Sequence, residues 1–114
     1  MIIAVDFDGT LHDGEYPNIG EPLKDAVTVM RQLHDEGHTL IIWSCRAGAA
    51  YDEMIRWLEG MEIPFDCVNE QDPDNMAAYG NDTRKVYADV YIDDHNIGGI
   101  PPWRTIYRKI RGMA

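Results

Sequence analysis

Short apolar runs alternate along this chain with segments of helical periodicity. Residues 2–5, 39–43 and 90–92 form non-alternating runs that are mostly apolar and rich in β-branched side chains, which predicts strands buried on both faces. Residues 65–68 form a weaker run of the same kind. The pattern therefore predicts three buried strands and a fourth, less certain one.

Three amphipathic helices are predicted around these strands. A stripe of apolar residues runs from Leu23 to Leu33 at helical spacing, with Pro22 suited to the first turn and Gly37 to the end. Residues 51–58 and 103–110 repeat the same spacing. The polar stretch 69–84 shows no such period and is predicted to be a long loop, either a lid or simply mobile.

Strands that alternate with helices imply right-handed crossovers and a parallel sheet. We expect an α/β protein, a three-layer sandwich with a mostly parallel, Rossmann-like sheet. The 114 residues permit one core, so we expect a single domain over 1–114. The first strand should lie between the second and the last, with 65–68 at the edge beyond the second strand.

The charge balance narrows the possible partners. Twenty Asp and Glu residues against ten Lys and Arg residues give a net charge of −10. Such a field repels phosphate backbones and attracts divalent cations, so nucleic-acid binding is disfavoured.

The remaining composition favours a reduced, cytoplasmic protein. Cys45 and Cys67 are too few for a disulfide framework and lie in apolar runs, so we expect buried free thiols. There is no apolar run of about 18 residues and no basic, signal-like N-terminus, so neither a membrane span nor a secretory signal is expected.

Polar side chains follow directly after all four apolar runs. Ligands of parallel sheets bind beyond the carboxyl ends of the strands, so this coincidence marks the expected site. The residues are Asp6 and Asp8, then Ser44, Cys45 and Arg46, then Asn69 and Glu70, and finally Asp93 and Asp94.

Carboxylates that meet at one edge repel one another. At about 4 Å and an effective dielectric near 20, each close pair costs roughly 4 kcal/mol, so either some stay protonated or a cation lies among them. An all-oxygen site without nearby His or Cys ligands favours Mg²⁺.

Simpler interpretations stay open at this point. Asp6 and Asp8 could be turn formers, and Asp93 and Asp94 a helix cap. Ser44 could bond its own backbone, and Lys85 could be a solvated surface residue. Arg46 could bind a second anionic group of a substrate or form a surface ion pair.

Four segments together resemble the motifs of the haloacid dehalogenase-like (HAD-like) superfamily. They are the stretch Asp-Phe-Asp-Gly-Thr at 6–10, Ser44 after an apolar strand, Lys85, and Tyr-Ile-Asp-Asp at 91–94. They occur in the order of the superfamily, each near a predicted strand end. The resemblance is greatest to the small phosphatases without a cap domain that bacteria and their phages carry.

The resemblance implies a role for each acidic residue. Asp6 would be the nucleophile that forms an aspartyl-phosphate, kept ionised by Mg²⁺ and Lys85. Asp8 would be the general acid and then the base, with its pKa raised by the neighbouring acids, and its backbone carbonyl would bind Mg²⁺. Asp93 would ligate the metal directly, and Asp94 directly or through water.

The resemblance also implies the substrate contacts. Ser44 and Lys85 would hold the phosphoryl oxygens and count with the catalytic residues. The substrate-binding residues expected beside them are Gly9, Thr10, Cys45 and Arg46.

The expected activity is Mg²⁺-dependent hydrolysis of a phosphomonoester. The intervals between the motifs leave no room for a cap, so we expect an open crevice that takes a phosphorylated small molecule or an exposed phosphate on a macromolecule. Two alternatives stay open, a receiver-like phosphoacceptor and a catalytically weak, metal-binding regulatory protein. A receiver normally begins with adjacent acids, whereas the adjacent pair comes last here.

Overall fold

A computed structural model describes residues 1–113 as four parallel strands and four helices. The sheet has the order β3-β2-β1-β4, which confirms both the α/β class and the predicted strand order. The strands are β1 (Ile2–Asp6), β2 (Thr39–Trp43), β3 (Cys67–Val68) and β4 (Val90–Ile92). The helices are α1 (Ala26–Asp35), α2 (Gly48–Gly60), α3 (Pro73–Tyr79) and α4 (Trp103–Met113).

One face of the sheet carries most of the core. Alternate side chains of β1 and β2, such as Ile3, Val5 and Ile42, pack there against the apolar stripes of α1, α2 and α4. The crossovers β1–β2 and β2–β3 step in the same direction along the sheet, so right-handedness puts α1 and α2 on the same face. The well-packed face anchors the strand ends that carry the site.

The opposite face of the sheet is covered by the connection from β3 to β4. Val86 and Ala88 of this connection pack against Ala4 of β1 and Ile41 of β2, and this second apolar cluster is small. Buried Gln71 holds the connection in place, since its Nε2 donates to the backbone oxygens of Thr83 and Lys85 and its Oε1 accepts the N–H of Tyr87.

Two predicted boundaries are wrong. Helix α1 begins at Ala26 rather than near Pro22, because residues 21–23 hydrogen-bond to residues 11–13 and Asp25 then adopts a left-handed conformation with φ of 66°. Strand β3 covers only two residues of the predicted 65–68 run.

The loop predicted over 69–84 contains the short helix α3. The Asp72 side chain accepts the N–H of Asn75, Pro73 occupies the first turn, and Gly80 ends the helix with φ of 71°. An Asp-Pro start and a Gly stop are ordinary helix signals that were available in the sequence. Hydrophobic periodicity does not reveal this helix, because the segment has no apolar stripe and buries none of its residues.

Within residues 1–113, no helix combines the length and the apolar character that crossing a lipid bilayer requires.

Candidate active site

Three carboxylates meet at the carboxyl edge of the sheet. Asp6 ends β1, and Asp93 and Asp94 follow β4, which pairs directly with β1. One oxygen atom from each of the three side chains lies within 4.8 Å of the others. The predicted meeting of the first and last strand ends is therefore present, with both Asp93 and Asp94 in the cluster.

Thr10 joins two members of this triad. Its hydroxyl lies 3.0 Å from Asp6 Oδ2 and 3.4 Å from Asp94 Oδ1, and it accepts the backbone N–H of Asp94 at 3.1 Å. The indole N–H of Trp103 donates to the Thr10 carbonyl at 2.9 Å. Thr10 is fully buried, and its hydroxyl positions the acids. Its predicted role in binding substrate stays a prediction.

Gly9 leaves room for the triad. Its φ is +80°, and a Cβ atom added there would lie 2.3 Å from Asp94 Oδ2. A side chain at this position would therefore push Asp94 away as well as strain the backbone. The predicted role of Gly9 in cradling a phosphate stays a prediction.

The environment of Asp6 disfavours its charge. Burial, a hydrogen bond with Asp94 and the charge of Asp93 together raise the pKa of Asp6 from 3.8 to about 7. The predicted pairing of Lys85 with Asp6 is absent from the described contacts. In the chain alone, the carboxyl of Asp6 therefore keeps its proton to a higher pH than an ordinary aspartate does.

Asp8 lies outside the triad, in a different environment. Arg46 donates to both of its carboxylate oxygens, from Nε at 2.9 Å and from Nη2 at 2.7 Å, and His12 Nε2 contacts Oδ1 at 2.8 Å. Burial alone would raise the pKa of Asp8, but the hydrogen bonds from Arg46 and His12 hold it below its ordinary value.

This pairing overturns three expectations. Only three of the four carboxylates converge, because the carboxylate of Asp8 binds Arg46. The neighbouring acids do not raise the pKa of Asp8. The Arg46 side chain is 1% exposed and that of Asp8 is 28% exposed, so their ion pair is partly buried rather than on the surface. The predicted contact of Arg46 with substrate stays a prediction.

His12, in the loop after the Asp6 strand, makes contacts that the sequence did not reveal. It is fully buried, and its Nδ1 accepts the backbone N–H groups of Gly14 and Gly20 at 3.0 and 3.2 Å. Nδ1 therefore carries no proton, and Nε2 is the nitrogen that donates to Asp8. No sequence motif identifies such a histidine, because its partners are backbone N–H groups on the far side of a loop.

The residues that follow β2 form another wall of the crevice that contains Asp6 and Asp93. Ser44 Oγ accepts the N–H of Arg46 at 3.1 Å, which leaves the hydroxyl hydrogen to donate into the crevice. Asn69 fixes the Ser44 backbone through two hydrogen bonds of 2.8 Å. Cys45 also lines the crevice but is exposed, so the predicted burial of its thiol is wrong.

The crevice is an open cavity of about 850 Å³ along the carboxyl edge. Glu70 faces a different surface depression. The walls combine acidic, basic and aromatic side chains, namely Asp6, Asp8, Tyr16, Trp43, Ser44, Cys45, Arg46, Asn69, Arg84, Asp93 and His95.

Arg84 rather than Lys85 reaches this crevice. Lys85 is not among the lining residues, and its Nζ lies over the ring of Tyr91, 5.2 Å from the centroid. The chain bends at residues 84–85, and the two neighbouring cations are both exposed but lie against different surroundings.

The donor set of the triad fits a hard divalent cation. It consists of carboxylate oxygens alone, and burial together with the neighbouring Asp94 and Asp93 already raises the pKa of Asp6. Oxygen-only sites of this kind suit Mg²⁺. The carboxylate of Asp8 is used by Arg46, so Asp8 has only its backbone carbonyl to offer a metal.

A solved structure from Bacteroides thetaiotaomicron, described as that of a conserved protein, is similar to the whole chain. The two sequences are 42% identical, the TM-score is 0.89, and the match covers 100% of this chain and 92% of the other. The chain belongs to the family of that protein. No family model matches the chain, and no curated protein matches it.

In the absence of divalent cations, replacing Asp6 and replacing Asp8 by Asn should change the stability of the protein in opposite directions. Because the folded-state pKa of Asp6 is raised, its contribution to the unfolding free energy is greatest below pH 3.8 and falls as the pH rises through about 7. Asp6→Asn should therefore raise the Tm at about pH 8 by on the order of a few °C, and this gain should shrink toward about pH 4.

Asp8→Asn should instead destabilise the protein by about 3 kcal/mol, because the guanidinium of Arg46 would lose its buried ionic partner. Asp82→Asn, at an exposed acid, is the matched control and should change little. Thermal and urea unfolding in EDTA measure all three. A destabilising Asp6→Asn, or a neutral Asp8→Asn, would contradict the assigned environments.

The triad also predicts a thermal response to Mg²⁺. A cation that binds only the folded chain stabilises it by about 2.7 kcal/mol at a hundredfold excess over Kd. The Tm of the wild type should rise with added MgCl₂ and fall back with EDTA, whereas Asp6→Asn and Asp93→Asn should lose most of the response. An equal rise in these variants and in Asp82→Asn would refute a metal site at the triad.

Proposed function

We propose that the protein is a Mg²⁺-dependent phosphomonoester hydrolase that works through an aspartyl-phosphate. One observation carries the proposal, namely that Asp6 lies in a carboxylate triad while Asp8, two residues away, lies outside it beside the same crevice. The resemblance of segment 6–10 and segment 91–94 to HAD-like phosphatases supports the same activity.

Asp6 is the proposed nucleophile. One of its carboxylate oxygens attacks phosphorus, the P–O bond to the alcohol breaks, and the alcohol oxygen leaves with the bonding electrons and takes a proton. Water then attacks the phosphorus of the aspartyl-phosphate, and Asp6 is released together with inorganic phosphate. Thr10 holds the Asp6 carboxylate for this attack by its 3.0 Å hydrogen bond.

Asp8 is the proposed acid and base. In its ionised form, which Arg46 and His12 favour, it takes the proton of the attacking water. The same contacts make its protonated form costly, so alkyl esters, which need a proton on the leaving oxygen, should react more slowly than aryl esters. An aryl phosphate is therefore the sensitive first substrate.

Two cations balance the charge in the proposal. A bound Mg²⁺ held by Asp6, Asp93 and the Asp8 carbonyl, with Asp94 beside it, would lower the pKa of Asp6 and neutralise phosphoryl charge. Arg84, on the wall of the crevice, supplies the second positive charge, and Ser44 donates its hydroxyl hydrogen to a phosphoryl oxygen.

Asp6→Asn should abolish phosphate release from p-nitrophenyl phosphate in MgCl₂, because an amide oxygen does not form the covalent intermediate. Released phosphate and nitrophenolate measure it, and Asp82→Asn is the control. Activity of the wild type should vanish in EDTA and return with Mg²⁺. Turnover by Asp6→Asn comparable to that of the wild type would remove Asp6 from this role.

A wild type that binds Mg²⁺ and releases no phosphate from any ester would overturn the proposal in favour of a metal-binding regulatory protein. A single phosphorylation by a small phosphodonor, without repeated turnover, would favour a receiver-like phosphoacceptor instead.

The two neighbouring cations give a paired test. Arg84→Ala should lower kcat/KM by on the order of a hundredfold, because a charge-assisted contact to the transferring phosphoryl group is lost. Lys85→Ala removes the same charge one residue away, where Nζ faces Tyr91, and should change kcat/KM by less than about threefold. Steady-state kinetics on both variants check the assignment, and the reverse ranking would return the role to Lys85.

A further inference from the structure

Tyr16 is an exposed aromatic residue on the wall of the crevice. Its side chain is 63% exposed, and one side of its ring faces the guanidinium of Arg46, whose carbon lies 5.0 Å from the ring centroid. The proposed hydrolysis gives this tyrosine no role. A large ring that is open to solvent on one side and supported on the other is suited to stacking against a planar ligand.

Arg46, which packs against the Tyr16 ring, also binds Asp8 directly. Arg46 lies between Phe7, at 5.2 Å, and Tyr16, while it donates two hydrogen bonds to Asp8. Arg46 Nη2 also donates to the carbonyl of Pro17 at 3.1 Å. The position of the Tyr16 ring is therefore tied to the proposed acid and base by one rigid, buried side chain.

Hydrogen bonds join the two ends of the loop that carries Tyr16, residues 12–14 and 20–21. Buried His12 accepts the N–H groups of Gly14 and Gly20, and Asp13 accepts the N–H of Glu21 at 2.9 Å. The two glycines approach so closely that a Cβ on either would lie 2.5 Å from the backbone nitrogen of the other. Tyr16 is thus held in place before any ligand arrives, which lowers the entropy cost of stacking.

Further rings border the same crevice. Trp43 ends β2 in register with Asp6, so its indole lies beside the strand end that carries the proposed nucleophile. His95 lines the crevice near Asp93. The crevice of about 850 Å³ is large enough for a phosphate together with a planar group of one or two fused rings.

We propose that the preferred substrates are phosphomonoesters whose alcohol part carries a planar aromatic or heteroaromatic ring, stacked on the open face of Tyr16. This inference rests on the proposed function for the phosphate end of the ligand. Stacking supplies binding energy that does not depend on charge, which suits a crevice in a protein of net charge −10 that must hold a dianionic ester.

The test measures binding with uncleavable phosphonates, so it does not depend on turnover. The 5′-phosphonate analogue of adenosine monophosphate is compared by calorimetry, in MgCl₂, with the corresponding ribose phosphonate that lacks the base. Benzylphosphonate and cyclohexylmethylphosphonate form a second matched pair, which distinguishes a single aryl ring from a nucleobase.

The variants separate stacking from the simple shielding of Arg46. Tyr16→Phe should keep the preference for the ring-bearing ligand, whereas Tyr16→Leu, which still covers the guanidinium, should weaken that ligand on the order of tenfold and leave the ring-free ligand unchanged. Tyr79→Leu, at an exposed tyrosine of α3, is the control and should behave like the wild type.

Equal affinity of the wild type for both members of each pair would overturn ring recognition, and so would an equal loss of both ligands in Tyr16→Leu. A ring preference in only one pair supports the proposal and shows whether the site binds a nucleobase or a single aryl ring. Absence of phosphate release from aryl phosphates, with the ring preference intact, would overturn the hydrolase assignment and keep the ring-binding site.

Discussion

Repulsion among carboxylates is the constraint on which this site depends. The pairing of β1 with β4 brings Asp6 against Asp93 and Asp94, and Thr10 and Gly9 then fix and accommodate the cluster. The core on the helix-covered face supplies the stability that offsets this electrostatic cost. The three acids of this cluster could together hold a metal ion, whose charge would relieve their repulsion.

Two carboxylates of the same short segment have opposite electrostatic environments. Asp6 is half-buried among acids, so its pKa rises, whereas Asp8 is held by Arg46 and His12, so its pKa falls. Such a division is typical of sites in which one acid attacks and another moves protons. The division is produced by the partners of each carboxylate, since Asp6 lies beside Asp93 and Asp94 whereas Asp8 binds Arg46, which also packs over the ring of buried Phe7.

Much of the fold was readable from the sequence, for an identifiable reason. Buried parallel strands are short apolar runs, so β2 and β4 fall where the pattern predicted them, and the polar residues after each run mark the functional edge. The partners of Arg46, the burial of His12 and the exposure of Cys45 could not be predicted, because each depends on loop geometry rather than on periodicity. Which of Arg84 and Lys85 lines the crevice could not be predicted either, because it depends on how the connection bends at residues 84–85.

The two faces of the sheet differ greatly in how much they bury, and this asymmetry has an evolutionary consequence. The β3–β4 connection contributes only Val86 and Ala88 to a small cluster and is secured mainly by Gln71, yet it carries Arg84 to the crevice. Replacements in the part of this connection that precedes Val86 would leave the helix-packed core intact, whereas Val86 and Ala88 also pack against Ala4 of the strand that carries Asp6. The stretch between β3 and Val86 is therefore a part of the crevice wall that sequence change can alter at little cost to the core that supports the acidic cluster.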